Sequence, residues 1–323
     1  MQNIWTQLCL QHTQAKSVSR IESVQSLWSG YGEIFKVQLM PEELGTLVIK
    51  QVSPPSTDNH PRGWNTDLST QRKLKSYDVE MHWYESWSSQ CNEHCRVPAC
   101  ITSAKKDNQI WMLLEDLDAS GYSRRHSTLT PEQAKPCLLW LANFHARFLN
   151  CTPEGLWPIG SYWHLDTRPD EFNTMQEGAL KNKAIYLDQL LNDCQFKTLV
   201  HGDAKVANFC FSANDTHAAA VDFQYVGGGC GMKDVAYFFG SCFNEEECEQ
   251  WVPPLLDFYF EALSEAITDP TVKPSELERE WRALFAPAWT DFHRFLLGWM
   301  PGHKKIHSYT QKLTDETLLN LNK

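Results

Sequence analysis

The sequence predicts an α+β fold with a β-rich N-terminal part and a larger, mainly helical C-terminal part. A run of branched residues from Thr46 to Val52 is typical of a strand. Apolar residues at three- and four-residue steps from Trp281 to Trp299 indicate an amphipathic helix, which we expect Pro287 to break. The length of 323 residues is enough for about two domains.

Further elements follow in order along the chain. Leu27 to Val37 predicts a turn between strands, and residues 53–70, rich in Pro, Ser, Asn and Asp, predict a loop. Tyr77 to Trp87 has helical character, and the apolar run from Ile110 to Leu114 predicts a strand. Helical spacing of apolar residues then predicts a helix over 131–148.

A hairpin in the second half of the chain brings an amide and a carboxylate together. The predicted strands are Phe196 to Val200, Phe209 to Phe211 and Ala218 to Val221. The last two flank a tight turn around Asp215. Asn208 and Asp222 each lie seven residues from Asp215, so a hairpin places them side by side at its open end. Two oxygen donors facing one point suit Mg²⁺.

The segment before the hairpin reads His201-Gly202-Asp203-Ala204-Lys205-Val206-Ala207-Asn208. Asp203 follows a strand end, where a carboxylate could accept a proton from an attacking hydroxyl. Lys205 could offset charge on a phosphoryl group in transfer. His-Gly-Asp alone is equally well explained as a turn with a capping carboxylate. The joint pattern with Ala220-Val221-Asp222-Phe223-Gln224 favours phosphoryl transfer.

Together these segments resemble the catalytic loop and metal-binding turn of the protein-kinase-like superfamily. The likeness is to its aminoglycoside phosphotransferase and choline kinase branch, with the ecdysteroid kinase-like relatives included. The resemblance implies a two-lobed protein-kinase-like fold, with an N-lobe over residues 1–114, a hinge over 115–119 and a C-lobe over 120–323. It also implies ATP and Mg²⁺ as cofactors.

The resemblance assigns roles to the residues of the hairpin and its approach. Asp203 would be the catalytic base, and Asn208 and Asp222 would be the metal ligands. Lys205 departs from many small-molecule kinases and matches the Asp-x-Lys-x-x-Asn spacing of protein kinases instead. Both a catalytic and a structural role stay open for Lys205.

Residues nearer the N-terminus would hold the nucleotide. In this family the lysine at the position of Lys50 binds the nucleotide phosphates. The alternative is that Lys50 is a solvent-facing charge on an edge strand, which is a common use of lysine. Glu80 would pair with Lys50, with Glu85 on the same segment as the alternative. The remaining nucleotide-binding candidates belong to the glycine-containing turn and the hinge: Ser29, Gly30, Gly32 and Glu115.

Two polar residues of the larger lobe are expected to be structural. His145 lies in a segment that resembles a helix of the family's larger lobe, and we expect it to be packed and hydrogen-bonded in the core. Asp234 begins the helix after the glycine-rich segment, and we expect it to cap that helix and brace the catalytic loop.

The short, glycine-rich connection after Asp222 argues against a protein substrate, because protein kinases carry a long activation segment there. We expect a small hydroxyl compound as the acceptor: an amino alcohol or other small cation, then an aminoglycoside-like sugar, then a lipophilic alcohol. Tyr162, Trp163 and Tyr225 are candidate pocket residues. The alternative is a catalytically silent kinase-like protein that binds nucleotide and acts through protein contacts.

Composition sets limits on partners and location. The net charge of −11 opposes nucleic-acid binding and slightly favours a cationic acceptor. No apolar stretch approaches the ~20 residues of a membrane span, and the polar start is unlike a signal peptide, so we expect a cytoplasmic protein without membrane contact. The eleven scattered cysteines fit reduced thiols. One cluster, Cys91, His94, Cys95 and Cys100, matches no zinc-finger spacing.

Overall fold

The N-terminal part is built on one antiparallel sheet. A computed structural model describes residues 3–55 and 67–321 of the chain. The strands are β1 Ser17–Ser26, β2 Gly32–Met40, β3 Thr46–Val52, β4 Cys100–Lys106 and β5 Gln109–Glu115. Their order across the sheet is β1-β2-β3-β5-β4, so the predicted strand at Thr46 to Val52 is confirmed at a central position.

Two helices flank this sheet. Helix α1 (Ile4–His12) precedes β1, and α2 (Asp67–His82) continues into a π-helical turn at Trp83–Trp87. The sequence indicated a helix only from Tyr77 and a loop over 53–70; the helix begins earlier, and residues 56–66 lie outside the described part. The apolar periodicity does not reveal the first turns of the helix, because its buried face there includes the small polar residues Ser69 and Ser76.

The C-terminal part is mainly helical. Its helices are α3 Pro131–Arg147, α4 Pro169–Thr174, α5 Ala179–Asn192, α6 Met232–Cys242, α7 Glu245–Ala266, α8 Pro274–Trp299 and α9 Ser308–Asn320. Helix α8 runs unbroken through Pro287, so the predicted break was wrong. A proline inside a helix costs about 3 kcal/mol. Burial of neighbours such as Leu284 and Trp289, at about 1.5–3 kcal/mol per large apolar side chain, outweighs that cost.

Short strands support the loops between these helices. Strand β7 (Phe209–Phe211) pairs with β8 (Ala218–Ala220), with Phe209 opposite Ala220, so the predicted hairpin is confirmed. Strand β6 (Thr198–Val200) pairs with β9 (Gly227–Gly229). The turn residue Asp215 has φ +57°, a left-handed conformation that Asp tolerates better than most residues.

The chain segment after β5 is tied back to the sheet by charge. Lys36 of β2 places its Nζ 2.6 Å from Oδ2 of Asp118 and 3.3 Å from Oδ1 of Asp116. Asp116 Oδ2 also accepts a hydrogen bond of 2.7 Å from the Thr46 hydroxyl. The connection between the sheet and the helical part is thereby fixed at the edge of the site.

The cysteines and helices limit other kinds of site. All eleven cysteines are free thiols, and the thiol of Cys95 donates a hydrogen bond of 3.7 Å to Asn92 Oδ1. Within residues 3–55 and 67–321, no cluster of three or more His, Cys, Asp and Glu side chains is arranged to hold a metal. Over the same residues, none of the helices combines the length and apolar character of a membrane span.

A buried ion pair inside α8 generates a stability prediction. Asp291 and Arg294 are buried, with Nε of Arg294 2.8 Å from Oδ1 of Asp291. We expect Asp291→Ala to lower the free energy of unfolding by about 3–5 kcal/mol, because it leaves the arginine buried without its counter-charge. Asp257→Ala, which removes an exposed ion pair with Arg282, should cost less than about 1 kcal/mol. Guanidinium titrations that give equal losses would contradict this assignment.

Candidate active site

One buried lysine connects the sheet, a helix and the β7–β8 hairpin. Lys50 projects from β3, and its Nζ lies 2.6 Å from Oε2 of Glu80 and 3.1 Å from Oδ1 of Asp222. Lys50 and Glu80 are buried, whereas the Asp222 side chain is about one-third exposed at 34%. Glu80 therefore pairs with Lys50 from α2. The alternative, Glu85, contacts Ser103 of β4 instead.

Electrostatics keep both Lys50 and Asp222 charged. Burial alone would lower the pKa of Lys50, but the carboxylates of Asp222 and Glu80 hold that pKa above its ordinary value. Burial would likewise raise the pKa of Asp222, and the cations of Lys50 and Lys205 lower it below its ordinary value. The centre of the site is a network of opposite charges rather than a solvated strand edge.

The loop that carries Asp203 has a backbone which few residues can adopt. Gly202 has φ +80°, and a Cβ there would lie 2.1 Å from the carbonyl oxygen of Tyr225. Glycine is therefore required between the strand end and Asp203. Lys205 Nζ lies 2.8 Å from Asp203 Oδ2, and this carboxylate raises the pKa of Lys205 above its ordinary value despite burial.

A second buried carboxylate braces this loop from below. Asp234, in the first turn of α6, accepts hydrogen bonds of 2.6 Å from the N–H of His201 and 2.9 Å from that of Gly202. His145 places Nε2 3.2 Å from Asp234 and Nδ1 2.7 Å from the hydroxyl of Tyr259. The structure confirms a packed core position for His145 and a bracing position for Asp234. Gly231, not Asp234, is the N-cap of α6.

Asn208 and Asp222 both lie at the open end of the hairpin, where the Asn208 carbonyl oxygen accepts a hydrogen bond of 3.0 Å from the N–H of Val221, the residue before Asp222. The Asn208 amide donates to the backbone and side-chain oxygens of Asp203, at 2.8 and 3.0 Å, which fixes the orientation of the amide. Asp222 uses Oδ1 for Lys50 and for the side-chain amide of Gln224. Within residues 3–55 and 67–321, Asn208 Oδ1 and Asp222 Oδ2 make no hydrogen bond, and hard oxygen atoms of this kind fit Mg²⁺.

The glycine-containing turn between β1 and β2 has a structural explanation of its own. Ser29 and Gly30 have φ +58° and +74°, and the Ser29 hydroxyl is buried without a hydrogen-bond partner in the described part of the chain. A Cβ on Gly32 would lie 2.0 Å from the carbonyl oxygen of Gln51 in β3. Close pairing of β2 and β3 therefore requires glycine at position 32. This requirement holds whether or not the turn binds a phosphate.

Glu115, the candidate at the hinge, is committed to local contacts. Its carboxylate pairs with Arg96 and accepts hydrogen bonds from the N–H of Ala99 at 2.9 Å and the hydroxyl of Ser120 at 2.6 Å. These contacts join the end of β5 to the segment before β4. A part for Glu115 in nucleotide binding stays a prediction.

Aromatic rings form a wall beside Asp203. The ring centroids of Tyr162 lie 5.2 Å from those of Trp163 and 5.9 Å from those of Tyr225, so the three candidate pocket residues are neighbours. Tyr237 of α6 extends the wall, and its hydroxyl interacts with Tyr162 and Asp203.

Cations on this side of the site were missed by the sequence reasoning. Arg168 lies in the segment before α4, and Lys305 in the loop between α8 and α9. No local pattern connects these positions to the His-Gly-Asp segment. Arg168 and Lys305 reach the aromatic wall through tertiary contacts, which the local sequence does not indicate.

Comparison with known proteins identifies the family. The model of the ecdysteroid kinase-like family matches residues 47–151 and 162–270, more than half of the chain. The chain belongs to the ecdysteroid kinase-like family. The matched ranges contain Lys50, Glu80, Asp203, Asn208 and Asp222. A search of proteins with curated functions found no match.

Two solved structures share the fold of this family member. Amicoumacin kinase hAmiN in complex with AMP-PNP, Ca²⁺ and Ami is 8% identical, with a TM-score of 0.50 over 93% of this chain and 86% of that one. A thermostable mutant of aminoglycoside phosphotransferase APH(4)-Ia, in a ternary complex with ADP and hygromycin B, is 11% identical, with a TM-score of 0.50 over 98% of both chains. At these identities the likeness shows the kinase-like fold alone.

The hydrogen bonds between Asp234 and the loop of Asp203 generate a second prediction. We expect Asp234→Asn to lower the free energy of unfolding by about 1–3 kcal/mol, because the amide puts an N–H donor where two backbone N–H groups need acceptors. The matched control is Asp269→Asn. Asp269 also accepts hydrogen bonds from a backbone N–H and a hydroxyl, both of Thr271, but lies in solvent, so we expect no measurable change. Equal urea midpoints for both variants would contradict the bracing role.

Proposed function

We propose that this protein is an ATP-dependent phosphotransferase that moves the γ-phosphoryl group to a hydroxyl of a small molecule. The supporting observation is the convergence of Lys50, Asp203, Asn208 and Asp222, which come from three separate stretches of the chain. We propose an N-lobe over 1–114, a hinge over 115–119 and a C-lobe over 120–323, with the site between the lobes.

The nucleotide half of the site uses the charge network of Lys50. Lys50 would contact the phosphates, and Glu80 would hold its side chain in place. Asn208 and Asp222 would hold Mg²⁺ through Oδ1 and Oδ2. The metal ion would neutralise negative charge on the β- and γ-phosphates. Ser29 and Gly30 belong to the turn that would cover these phosphates.

The acceptor half of the site uses Asp203. Its carboxylate takes the proton of the acceptor hydroxyl while the acceptor oxygen forms a bond to the γ-phosphorus. The bond from that phosphorus to the β–γ bridging oxygen breaks, and ADP leaves. Lys205, now 2.8 Å from Asp203, can turn toward the transferring group and offset its charge.

The acid–base role of Asp203 is tested by a conservative change. We expect Asp203→Asn to reduce acceptor-dependent ADP release by roughly 10²- to 10⁴-fold, the range for a positioned general base, while ATP still binds. The assay screens alcohols, amino alcohols and aminoglycosides with the wild-type protein first. Asp166→Asn, an exposed aspartate of the same lobe, is the matched control and should leave the rate unchanged.

Two outcomes would contradict the proposal. An unchanged rate in Asp203→Asn would remove this carboxylate from the mechanism. ATP binding without transfer to any acceptor would favour the silent, kinase-like binding protein instead.

The metal-ligand role of Asp222 is tested by binding rather than turnover. We expect Asp222→Ala to weaken Mg²⁺-dependent ATP binding by at least roughly 10- to 100-fold, the range seen even for residues that only support metal ligands. Calorimetric titrations with Mg²⁺ and with EDTA measure this dependence. Glu80→Gln changes the other carboxylate at Lys50, so it should weaken ATP binding and keep the effect of Mg²⁺. Undiminished Mg²⁺–ATP affinity in Asp222→Ala would refute the ligand role.

A further inference from the structure

Four rings of the aromatic wall pack together next to Asp203, and two of them, Tyr162 and Tyr237, interact with its carboxylate. Ring centroids are 5.5 Å apart for Tyr162 and Tyr237, 4.8 Å for Tyr237 and Phe292, and 5.3 Å for Tyr162 and Phe295. Faces of such rings attract cations, so a cage of this composition would ordinarily suit a substrate with an ammonium group.

The protein fills those ring faces with its own cations. Nζ of Lys305 lies 4.9 Å from the ring centroid of Tyr237 and 5.4 Å from that of Phe292. The guanidinium of Arg168 lies 5.5 Å from the centroid of Tyr162 and 5.6 Å from that of Phe295. A substrate ammonium would lose the ring contacts and meet like charges at short range. The wall therefore disfavours a cationic acceptor.

Within the part of the chain that the structure describes, Lys305 differs from the other cations of the site in forming no ion pair. Arg168 is paired with Glu171, Lys205 with Asp203 and Lys50 with Glu80. In residues 3–55 and 67–321, no acceptor lies within hydrogen-bond distance of the Lys305 ammonium. Burial lowers the pKa of Lys305 to about 8, with the Asp203 carboxylate opposing that shift. A half-buried ammonium without an acceptor is costly unless a ligand supplies one.

The position of Lys305 places this unpaired cation beside the proposed reaction centre. Its charge interacts with those of Asp203 and Lys205, and it shares Tyr237 with Asp203 as a neighbour. Asp203, the proposed base, is the charged group that acts on it most strongly. An anion bound by Lys305 would thus belong to the acceptor.

We propose that Lys305 is a specificity-determining residue that binds an anionic group of the acceptor, so that the preferred substrate is a small, partly apolar alcohol with a carboxylate or similar anion. This rests on the proposed function. It also reverses the preference that the net charge suggested, because a charge of −11 is spread over the whole molecule, whereas Lys305 lies at the acceptor side and, unlike Arg168 and Lys205, has no carboxylate paired with it among the described residues.

Three probes of nearly equal shape test the charge preference. They are 4-(hydroxymethyl)benzoate, the neutral 4-methylbenzyl alcohol and the cationic 4-(aminomethyl)benzyl alcohol. We expect the benzoate to have a KM roughly 10- to 100-fold below that of either other probe in ATP-dependent ADP release. That range corresponds to one hydrogen-bonded charge pair.

Variants at Lys305 separate its role from that of the phosphate-binding residues. Lys305→Met should raise the KM of the benzoate roughly 10- to 100-fold and leave the neutral alcohol and the KM of ATP nearly unchanged. Lys305→Glu should move the preference to the amine. Lys304→Met, the exposed neighbour, is the matched control and should change none of these values.

The result that would overturn the proposal is clear in each assay. A preference of the wild-type protein for the amine, or an equal fall in kcat for all three probes in Lys305→Met, would assign Lys305 to the phosphates or to structure. Calorimetric binding of the probes needs no turnover, so it decides the charge preference even if phosphotransfer is absent. Equal affinities of the wild-type protein for the three probes would sink the idea.

Discussion

A single buried cation holds together parts of the chain that are far apart in sequence. Lys50 of β3 contacts Glu80 of α2 and Asp222 at the end of the β7–β8 hairpin. Breaking a buried pair of this kind costs several kcal/mol, because one charge remains in the interior without its partner. The sheet, the helix and the hairpin are thus kept in one arrangement.

The two halves of the site are built on different principles. On the side of Asn208 and Asp222, one oxygen atom of each side chain makes no hydrogen bond within the described residues, and we propose that a metal ion binds there. On the side of Asp203, aromatic rings are covered by Arg168 and Lys305. The backbone brace from Asp234 keeps the carboxylate of Asp203 between these halves. In our proposal, charge divides the site into a part for a metal-bound nucleotide and a part for an anionic alcohol.

Local spacing made the hairpin and the lysine strand predictable. Asn208 and Asp222 are equidistant from Asp215, and the hairpin that this spacing predicts is present, although the Asn208 carbonyl oxygen accepts its hydrogen bond from the N–H of Val221, one residue before Asp222. Other features depend on tertiary contacts that no local pattern records. Burial overrides the helix-breaking tendency of Pro287, and the requirement for Gly32 comes from the neighbouring strand. Lys305 reaches the site through a loop that lies about a hundred residues after Asp203.

The most direct test of the site is a crystal structure of the protein with AMP-PNP and Mg²⁺. Our account predicts Mg²⁺ bound by Asn208 Oδ1 and Asp222 Oδ2, phosphates in contact with Lys50, and the Asp203 carboxylate facing the γ-phosphate. A nucleotide bound away from Lys50, or a site that stays empty at saturating AMP-PNP, would contradict it.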